Sequence, residues 1–84
     1  MYEANFDEEA INSLNTLPKE IKERIFKKII SSKENPIHFF ERLSGRNEYK
    51  LRVGDYRVIA EIDSGQKKIQ IILVGHRKNV YDNL

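Results

Sequence analysis

Five basic side chains in the second half of the chain have the types and spacing that suit a phosphate site. Lys50 and Arg52 are two residues apart, so they share one face if this segment is a strand. Arg57 lies two residues after the Gly54-Asp55 pair, and His76 and Arg77 come just after an apolar segment and one glycine. Guanidinium groups bind phosphate oxygens in pairs of hydrogen bonds, and an imidazole can move a proton near neutral pH. These residues indicate a site for phosphodiester chemistry.

The reaction that such a site suits is the cleavage of RNA. RNA carries its own nucleophile, the 2′-hydroxyl, so the protein needs a base, an acid and cations but no metal. His76 is a candidate for the proton transfer. Tyr81, four residues after Arg77, adds a ring that can stack on a base. We therefore predict no cofactor and no metal ion.

The pairing of two predicted strands decides how these side chains meet. Apolar and polar residues alternate over 49–53 and 56–62, and the two residues between them begin with Gly54. That pattern predicts a tight type II′ hairpin in which Arg52 lies directly opposite Arg57. Like charges in directly opposed positions destabilise a sheet. We interpret the pair as retained for binding an anion.

The apolar segment 69–74 predicts a third strand, paired antiparallel with the second. In the register that we predict, Ile59 is opposite Ile72, Arg57 is opposite Val74, and His76 shares their face. Three apolar residues then form an exposed strip beside the basic side chains: Ile59, Ile72 and Val74. Apolar patches rimmed by charge commonly mark interfaces, so the strip is a predicted docking surface.

The first half of the chain predicts a strand and two helices. Residues 2–6 alternate as a short strand does, and Asp7 can cap a helix that follows. A second helix begins near Pro18 and ends at Asn35-Pro36, with an apolar stripe formed by Ile21, Ile25 and Ile29. The predicted fold class is α+β, with the order β-α-α-β-β-β. Two helices cover one face of a small antiparallel sheet.

Composition limits the classes of protein that the chain can represent. Its 84 residues suit one domain, 1–84, with 33% charged and 39% hydrophobic residues. The longest apolar run, 71–74, is far too short to span a membrane, and there are no cysteines. Residues 42–84 hold nine basic and five acidic residues, a balance of +4 within a net charge of +2. We expect a cytoplasmic protein that binds an anionic partner.

Three blocks of sequence resemble the RelE/ParE toxin superfamily: Arg42-Leu43-Ser44-Gly45, the segment 49–59, and the segment 74–81. The resemblance covers nearly the whole chain, including Leu17-Pro18-Lys19. It implies a small toxin that a RelB-like antitoxin holds inactive in a toxin–antitoxin hetero-oligomer. The RelE branch implies an endoribonuclease that enters the ribosome and cuts mRNA in the decoding site without a metal.

The resemblance also implies roles for single residues. Lys50 and Arg52 resemble the basic pair before the hairpin turn, with Lys50 as the candidate for proton transfer. Arg57 resembles the arginine that contacts the scissile phosphate, and Arg77 the C-terminal phosphate-binding arginine. Tyr81 resembles the tyrosine that stacks on or orients the substrate. Within this resemblance the exposed strip is predicted to bind the antitoxin.

Two other functions remain open on the sequence alone. A ParE-like toxin of the same fold would bind and poison DNA gyrase, and a catalytically weak relative would only bind nucleic acid or its antitoxin. RelE proteins with the fullest basic set have a lysine where this chain has Glu48. That difference lowers the local positive charge and concerns the strength of catalysis.

Overall fold

The computed structural model describes residues 1–82 and 84 and contains four helices and five strands in this part of the chain. In chain order they are β1 (Glu3–Phe6), α1 (Glu8–Asn15), α2 (Lys19–Ser32), α3 (Pro36–Phe39), β2 (Glu41–Arg42), β3 (Tyr49–Val53), β4 (Tyr56–Asp63), β5 (Lys68–His76) and α4 (Arg77–Asp82). The predicted α+β order is confirmed. Three short elements, α3, β2 and α4, add to it.

The five strands form one mixed sheet in the order β1-β5-β4-β3-β2. β1 pairs in parallel with β5, whereas the other neighbours are antiparallel. The prediction of an entirely antiparallel sheet therefore fails at one edge. The pair of helices returns the chain to the end of the sheet where β1 stops, and β2 begins there. Three successive antiparallel pairings, β2 with β3, β3 with β4 and β4 with β5, then bring β5 alongside β1 in the same direction.

α1 and α2 cover one face of the sheet, as predicted, and their apolar residues form the core with the strands. Leu14 of α1 and Ile25 of α2 are buried against Leu51 and Val58, among others. Asp7 occupies the N-cap of α1 but makes no side-chain capping bond. Its carboxylate instead accepts a hydrogen bond of 2.6 Å from the Gln70 amide, which ties the start of α1 to β5. We call the other side of the sheet the open face.

The predicted hairpin is confirmed residue by residue. Arg52 pairs with Arg57 and Lys50 with Ile59. Gly54 adopts a φ of +59°, whereas Asp55 does not adopt a positive φ, which is the type II′ arrangement. Only glycine takes the first turn position without steric cost, so Gly54 favours this two-residue turn. The turn sets the strand register, in which Arg52 lies directly opposite Arg57.

The predicted register of β5 is correct only in its first part. Ala60 pairs with Ile71, but a bulge follows, and Ile59 pairs with Leu73. Ile72 is therefore an extra residue, and every later side chain of β5 points to the opposite face from the one predicted. The bulge lets β5 place both Ile71 and Val74 in the core beneath the helices. None of the helices in the described part of the chain is long and apolar enough to cross a membrane.

Candidate active site

Arg57 is the buried centre of the open face. It occupies the second position of β4, and only 4% of its surface is exposed. Its Nη1 donates hydrogen bonds of 2.8 Å to the carbonyl oxygens of Gly54 and Tyr56. A buried guanidinium must be satisfied by acceptors, and the hairpin turn supplies two of them. These contacts fix the direction of the Arg57 side chain along the turn.

The Nε atom of Arg57 is also buried but has no hydrogen-bond partner among the described residues. Leaving a buried donor unpaired costs about 1–3 kcal/mol, and more for a charged group. Arg57 therefore keeps one donor unpaired while its Nη1 contacts with the Gly54 and Tyr56 carbonyls hold the side chain at the turn. An oxygen anion that reaches this donor would gain a charge-assisted hydrogen bond.

α4 brings Tyr81 to the same face, beside Lys50. The Lys50 Nζ lies 5.9 Å from the centre of the Tyr81 ring, at the outer limit of a cation–π contact. Partial burial by itself raises the pKa of the Tyr81 phenol, but its interactions with Arg57 and Lys50 outweigh burial. The net result is a pKa below the ordinary tyrosine value. We call Lys50, Arg57 and Tyr81 the open-face cluster.

Packing of α4 against β4 and β5 explains how Tyr81 is held. Val80 is 2% exposed, and its Cγ2 would lie 3.3 Å from a Cβ placed on Gly75, so the glycine makes room for the helix. The backbone N–H of Arg77 donates to the Asp55 carbonyl at 2.9 Å and joins the start of α4 to the hairpin turn. The sequence interpretation missed Val80, although an apolar residue three positions after Arg77 fits the inner face of a helical turn.

The other two arginines predicted for the site lie at its rim. Arg52 is exposed opposite Arg57, and Arg77 is exposed at the start of α4. Five predicted residues thus lie around one region, where the hairpin turn, β3 and α4 meet: Lys50, Arg52, Arg57, Arg77 and Tyr81.

The prediction that His76 shares this face is wrong, because the β5 bulge turns it to the helix side. His76 pairs with Tyr56, and the two rings meet edge to face at 5.6 Å. The His76 Nδ1 accepts a hydrogen bond of 3.3 Å from the Lys78 N–H, which engages the imidazole locally. Its predicted part in proton transfer therefore loses its geometric basis.

The predicted exposed strip is also wrong. Ile59 is fully buried and Val74 is 2% exposed, while Ile72 is half-buried. Val74 faces the core because of the bulge, and Ile59 is buried on the open face, where α4 packs against β4. An antitoxin cannot meet these residues as an exposed apolar strip. An unbroken apolar run, 71–74, carries no alternation that would reveal the extra residue.

Glu48 is engaged outside the open-face cluster. Its Oε1 lies 2.9 Å from the Nε of Arg46, and this contact lowers the pKa of the carboxyl group. The carboxylate thus neutralises a loop arginine. Among the described residues, no group of three or more histidine, aspartate or glutamate side chains could hold a metal ion.

Comparisons with known proteins agree with this architecture. Residues 4–81 match the family model described as the ParE toxin of the type II toxin–antitoxin system parDE. The intact RelBE toxin–antitoxin complex of E. coli is similar at a TM-score of 0.80 and 26% identity, with 90% of this chain and 96% of that chain covered. No match to a curated protein was found.

Two further crystal structures are similar. The archaeal RelE–RelB complex from Pyrococcus horikoshii has a TM-score of 0.77 and 26% identity, over 90% of this chain and 94% of that chain. The RelBE complex from Mycobacterium tuberculosis has a TM-score of 0.81 and 24% identity, over 90% and 98%. The last of these supports the fold alone.

Proposed function

The chain belongs to the family of ParE toxins of type II toxin–antitoxin systems, within the RelE/ParE superfamily, and we propose that it is an endoribonuclease. In this proposal it cleaves mRNA in the decoding site of the ribosome, in the cytoplasm, without a metal ion, and so stops translation. The observation that carries the proposal is the open-face cluster. It combines a buried guanidinium that keeps one unpaired donor with a lysine and a tyrosine of lowered pKa.

We assign the steps of the reaction to the residues of the open-face cluster and to the two arginines at its rim. The 2′-oxygen attacks the adjacent phosphorus, the bond from phosphorus to the 5′-oxygen breaks, and the products are a 2′,3′-cyclic phosphate and a 5′-hydroxyl. Arg57, with Arg52 and Arg77 at the rim, holds the non-bridging oxygens and stabilises their extra charge in the transition state. Preorganised donors act there without reorganisation, and the carbonyl contacts of Arg57 provide that rigidity.

Two proton transfers complete the balance. The Lys50 ammonium gives a proton to the departing 5′-oxygen. We assign the second transfer to the Tyr81 phenol, whose pKa lies below the ordinary tyrosine value. In its deprotonated form it accepts the proton of the 2′-hydroxyl. The ring of Tyr81 also stacks on a base beside the scissile phosphate.

Primer extension on a defined messenger, with and without programmed ribosomes, tests this proposal. We expect cuts within the decoding site that require ribosomes. Lys50→Ala should slow them by about 100-fold or more, the range of general acid–base catalysis. Lys68→Ala is the matched control, because it removes one exposed lysine from β5, at the far end of the sheet. Equal cleavage by Lys50→Ala and the control would refute the assignment.

Two substitutions of Tyr81 separate its two proposed roles, proton transfer and stacking. Tyr81→Phe keeps the ring but removes the phenol, so stacking persists while proton transfer is lost. Tyr81→Ala removes both. We expect Tyr81→Phe to lower the cleavage rate with little change in the affinity for programmed ribosomes, and Tyr81→Ala to lower both. If Tyr81→Phe cleaves normally, Tyr81 serves only as a stacking platform.

We also propose that a RelB-like antitoxin binds this chain and inhibits it in a hetero-oligomer. The support comes from the E. coli and P. horikoshii structures, both of which are RelE–RelB complexes. Co-expression with a RelB-like protein should give one complex on size-exclusion chromatography and abolish cleavage. Separate elution of the two proteins would count against this partner.

A second candidate function is the poisoning of DNA gyrase, and the family model that matches favours it, since it is that of the ParE toxins. Poisoning requires binding alone and no acid–base pair. Incubation with gyrase and supercoiled DNA would then give cleaved DNA while the messenger stays intact on ribosomes. Lys50→Ala and Tyr81→Phe would leave such an activity in place if it needs no proton transfer.

A further inference from the structure

A groove runs between α2 and the β3–β4 hairpin, on the side away from Tyr81. Its volume is about 330 Å³, and its lining consists of Arg24, Lys27, Lys28, Ser31, Arg52, Val53 and Gly54. Four of these seven residues are cations and none is a carboxylate. The fold places Lys27 and Lys28 of α2 across this groove from Arg52 of β3.

A second groove connects the first with the open-face cluster. It has the same volume, about 330 Å³, and is lined by Lys28, His38, Phe39, Glu41, Lys50 and Arg52. Lys28 and Arg52 line both grooves. A continuous basic path therefore leads from Lys50 across Arg52 and Lys28 to α2. Phe39 presents an exposed ring on this path.

The basic residues of the first groove are not neutralised within the protein. No hydrogen bond or ion pair joins the side chain of Arg24, Lys27, Lys28 or Arg52 to another side chain in the described part of the chain. The Arg24 guanidinium lies against the hairpin turn, since a Cβ on Gly54 would be 3.2 Å from its Nη2. Gly54 is also the residue whose carbonyl accepts a hydrogen bond from Arg57. Unpaired like charges on a rigid helix and hairpin are the arrangement that a polyanion stabilises.

We propose that these two grooves form a track for the sugar–phosphate backbone of RNA, running from the open-face cluster to Arg24. The cations contact successive phosphates, and Phe39 stacks on a base next to the reacting nucleotide. An exposed aromatic ring among cations favours single-stranded RNA over an acidic peptide, which offers no flat bases. The inference rests on the proposed function, because it extends the substrate path of the same site.

Binding to a 2′-O-methyl oligonucleotide tests the track without any cleavage. Affinity is measured by fluorescence anisotropy over a series of salt concentrations. Each phosphate contact on a single strand contributes about 0.7 to the slope of log affinity against log salt. Lys27→Gln/Lys28→Gln should lower the slope by about 1.4, which corresponds to a loss of about 25-fold in affinity at 0.1 M salt. Lys19→Gln/Lys68→Gln removes the same charge outside both grooves and should change neither quantity.

A substitution of Glu41 should change the affinity for the oligonucleotide in the opposite direction. It is the carboxylate that lines the second groove, and it pairs with Lys50 across the strands. Glu41→Gln should raise the affinity for the oligonucleotide, because it removes repulsion between the carboxylate and a phosphate. A loss of affinity in Glu41→Gln would contradict the path.

Binding to ribosomes without messenger distinguishes two sources of RNA for the track, the messenger and ribosomal RNA. If Lys27→Gln/Lys28→Gln weakens binding to the oligonucleotide, the track carries the messenger. If it weakens binding only to the empty ribosome, the grooves contact ribosomal RNA and the inferred path for the substrate backbone is overturned. If it weakens neither, or weakens only the binding of an acidic antitoxin, the inference is overturned. A protein that shows the expected slope but never cuts would refute the proposed function and leave the track in place.

Discussion

The contact between Val80 and Gly75 gives the prediction that the structure determines most sharply. Val80→Ala removes two methyl groups from a side chain that is 2% exposed. At about 0.8 kcal/mol for each buried carbon, the loss is about 1.6 kcal/mol, a factor of about 15 in equilibrium. Because α4 is a short C-terminal element, we expect this loss to appear as local detachment of α4 before global unfolding.

Gly75→Ala perturbs the same contact from the other side. The new Cβ would lie 3.3 Å from the Val80 Cγ2, so Val80 must move by a few tenths of an ångström. Overpacking of this kind costs about 1 kcal/mol, the low end of the usual range. The backbone of Gly75 does not have a positive φ, so alanine introduces no conformational strain there.

The double variant decides whether the two residues share one space. Alanine at position 75 occupies volume that alanine at position 80 vacates, so the two losses should be less than additive by about 0.5–1 kcal/mol. Any effect of Gly75→Ala on the unfolded chain cancels, because it occurs with either residue at position 80. Hydrogen exchange of the amides of 78–81 measures docking of α4, and mRNA cleavage measures its consequence. Additive losses would refute the packing of Val80 on Gly75.

Three further predictions concern charge and pH. Arg52→Gln should stabilise the fold by about 0.3 kcal/mol in thermal melts, because it removes the repulsion between Arg52 and Arg57. The same variant should cleave mRNA more slowly. A loss of stability would contradict the claim that the two arginines repel each other. Because folding lowers the pKa of Tyr81, the stability of the wild type should rise relative to that of Tyr81→Phe as the pH rises towards the ordinary tyrosine pKa. In an ultraviolet titration, the phenol that ionises at the lowest pH in the wild type should be missing in Tyr81→Phe. Glu48→Gln should destabilise the fold near neutral pH, because the contact with Arg46 is lost. The difference in stability between the variant and the wild type should vanish as the pH falls through the lowered pKa of Glu48. A stability difference that does not change with pH would exclude this ion pair as its source.

The hairpin could be predicted from the sequence because its signals agree. Two alternating segments and a glycine in the first turn position allow one register, and Arg52 consequently lies opposite Arg57. The burial of Arg57 could not be predicted, because it depends on acceptors in the backbone of the turn and on α4. The carbonyl contacts of Arg57 have no periodic signature, and the spacing of Arg77 and Val80 alone does not show where α4 packs.

The bulge in β5 shows where pattern reasoning stops. Ile71, Ile72, Leu73 and Val74 are all apolar, so the sequence assigns none of them to a particular face. Packing makes the choice by placing Ile71 and Val74 beneath the helices. That one-residue shift moves His76 away from the open face and leaves Gly75 there, and the missing side chain of Gly75 is what admits Val80.

The wrong faces predicted for Val74 and His76 therefore have one cause, the bulge in β5, and its consequence bears on catalysis. Removing His76 from the open face leaves Lys50 and Tyr81 as the titratable pair beside Arg57. Tyr81 reaches that position only because the preceding residue, Val80, is buried over Gly75. The adjacent residues divide two tasks, since one anchors α4 and the other supplies the reacting ring. Any change that loosens the anchor should therefore lower activity before it lowers the stability of the sheet, which carries Lys50, Arg52 and Arg57.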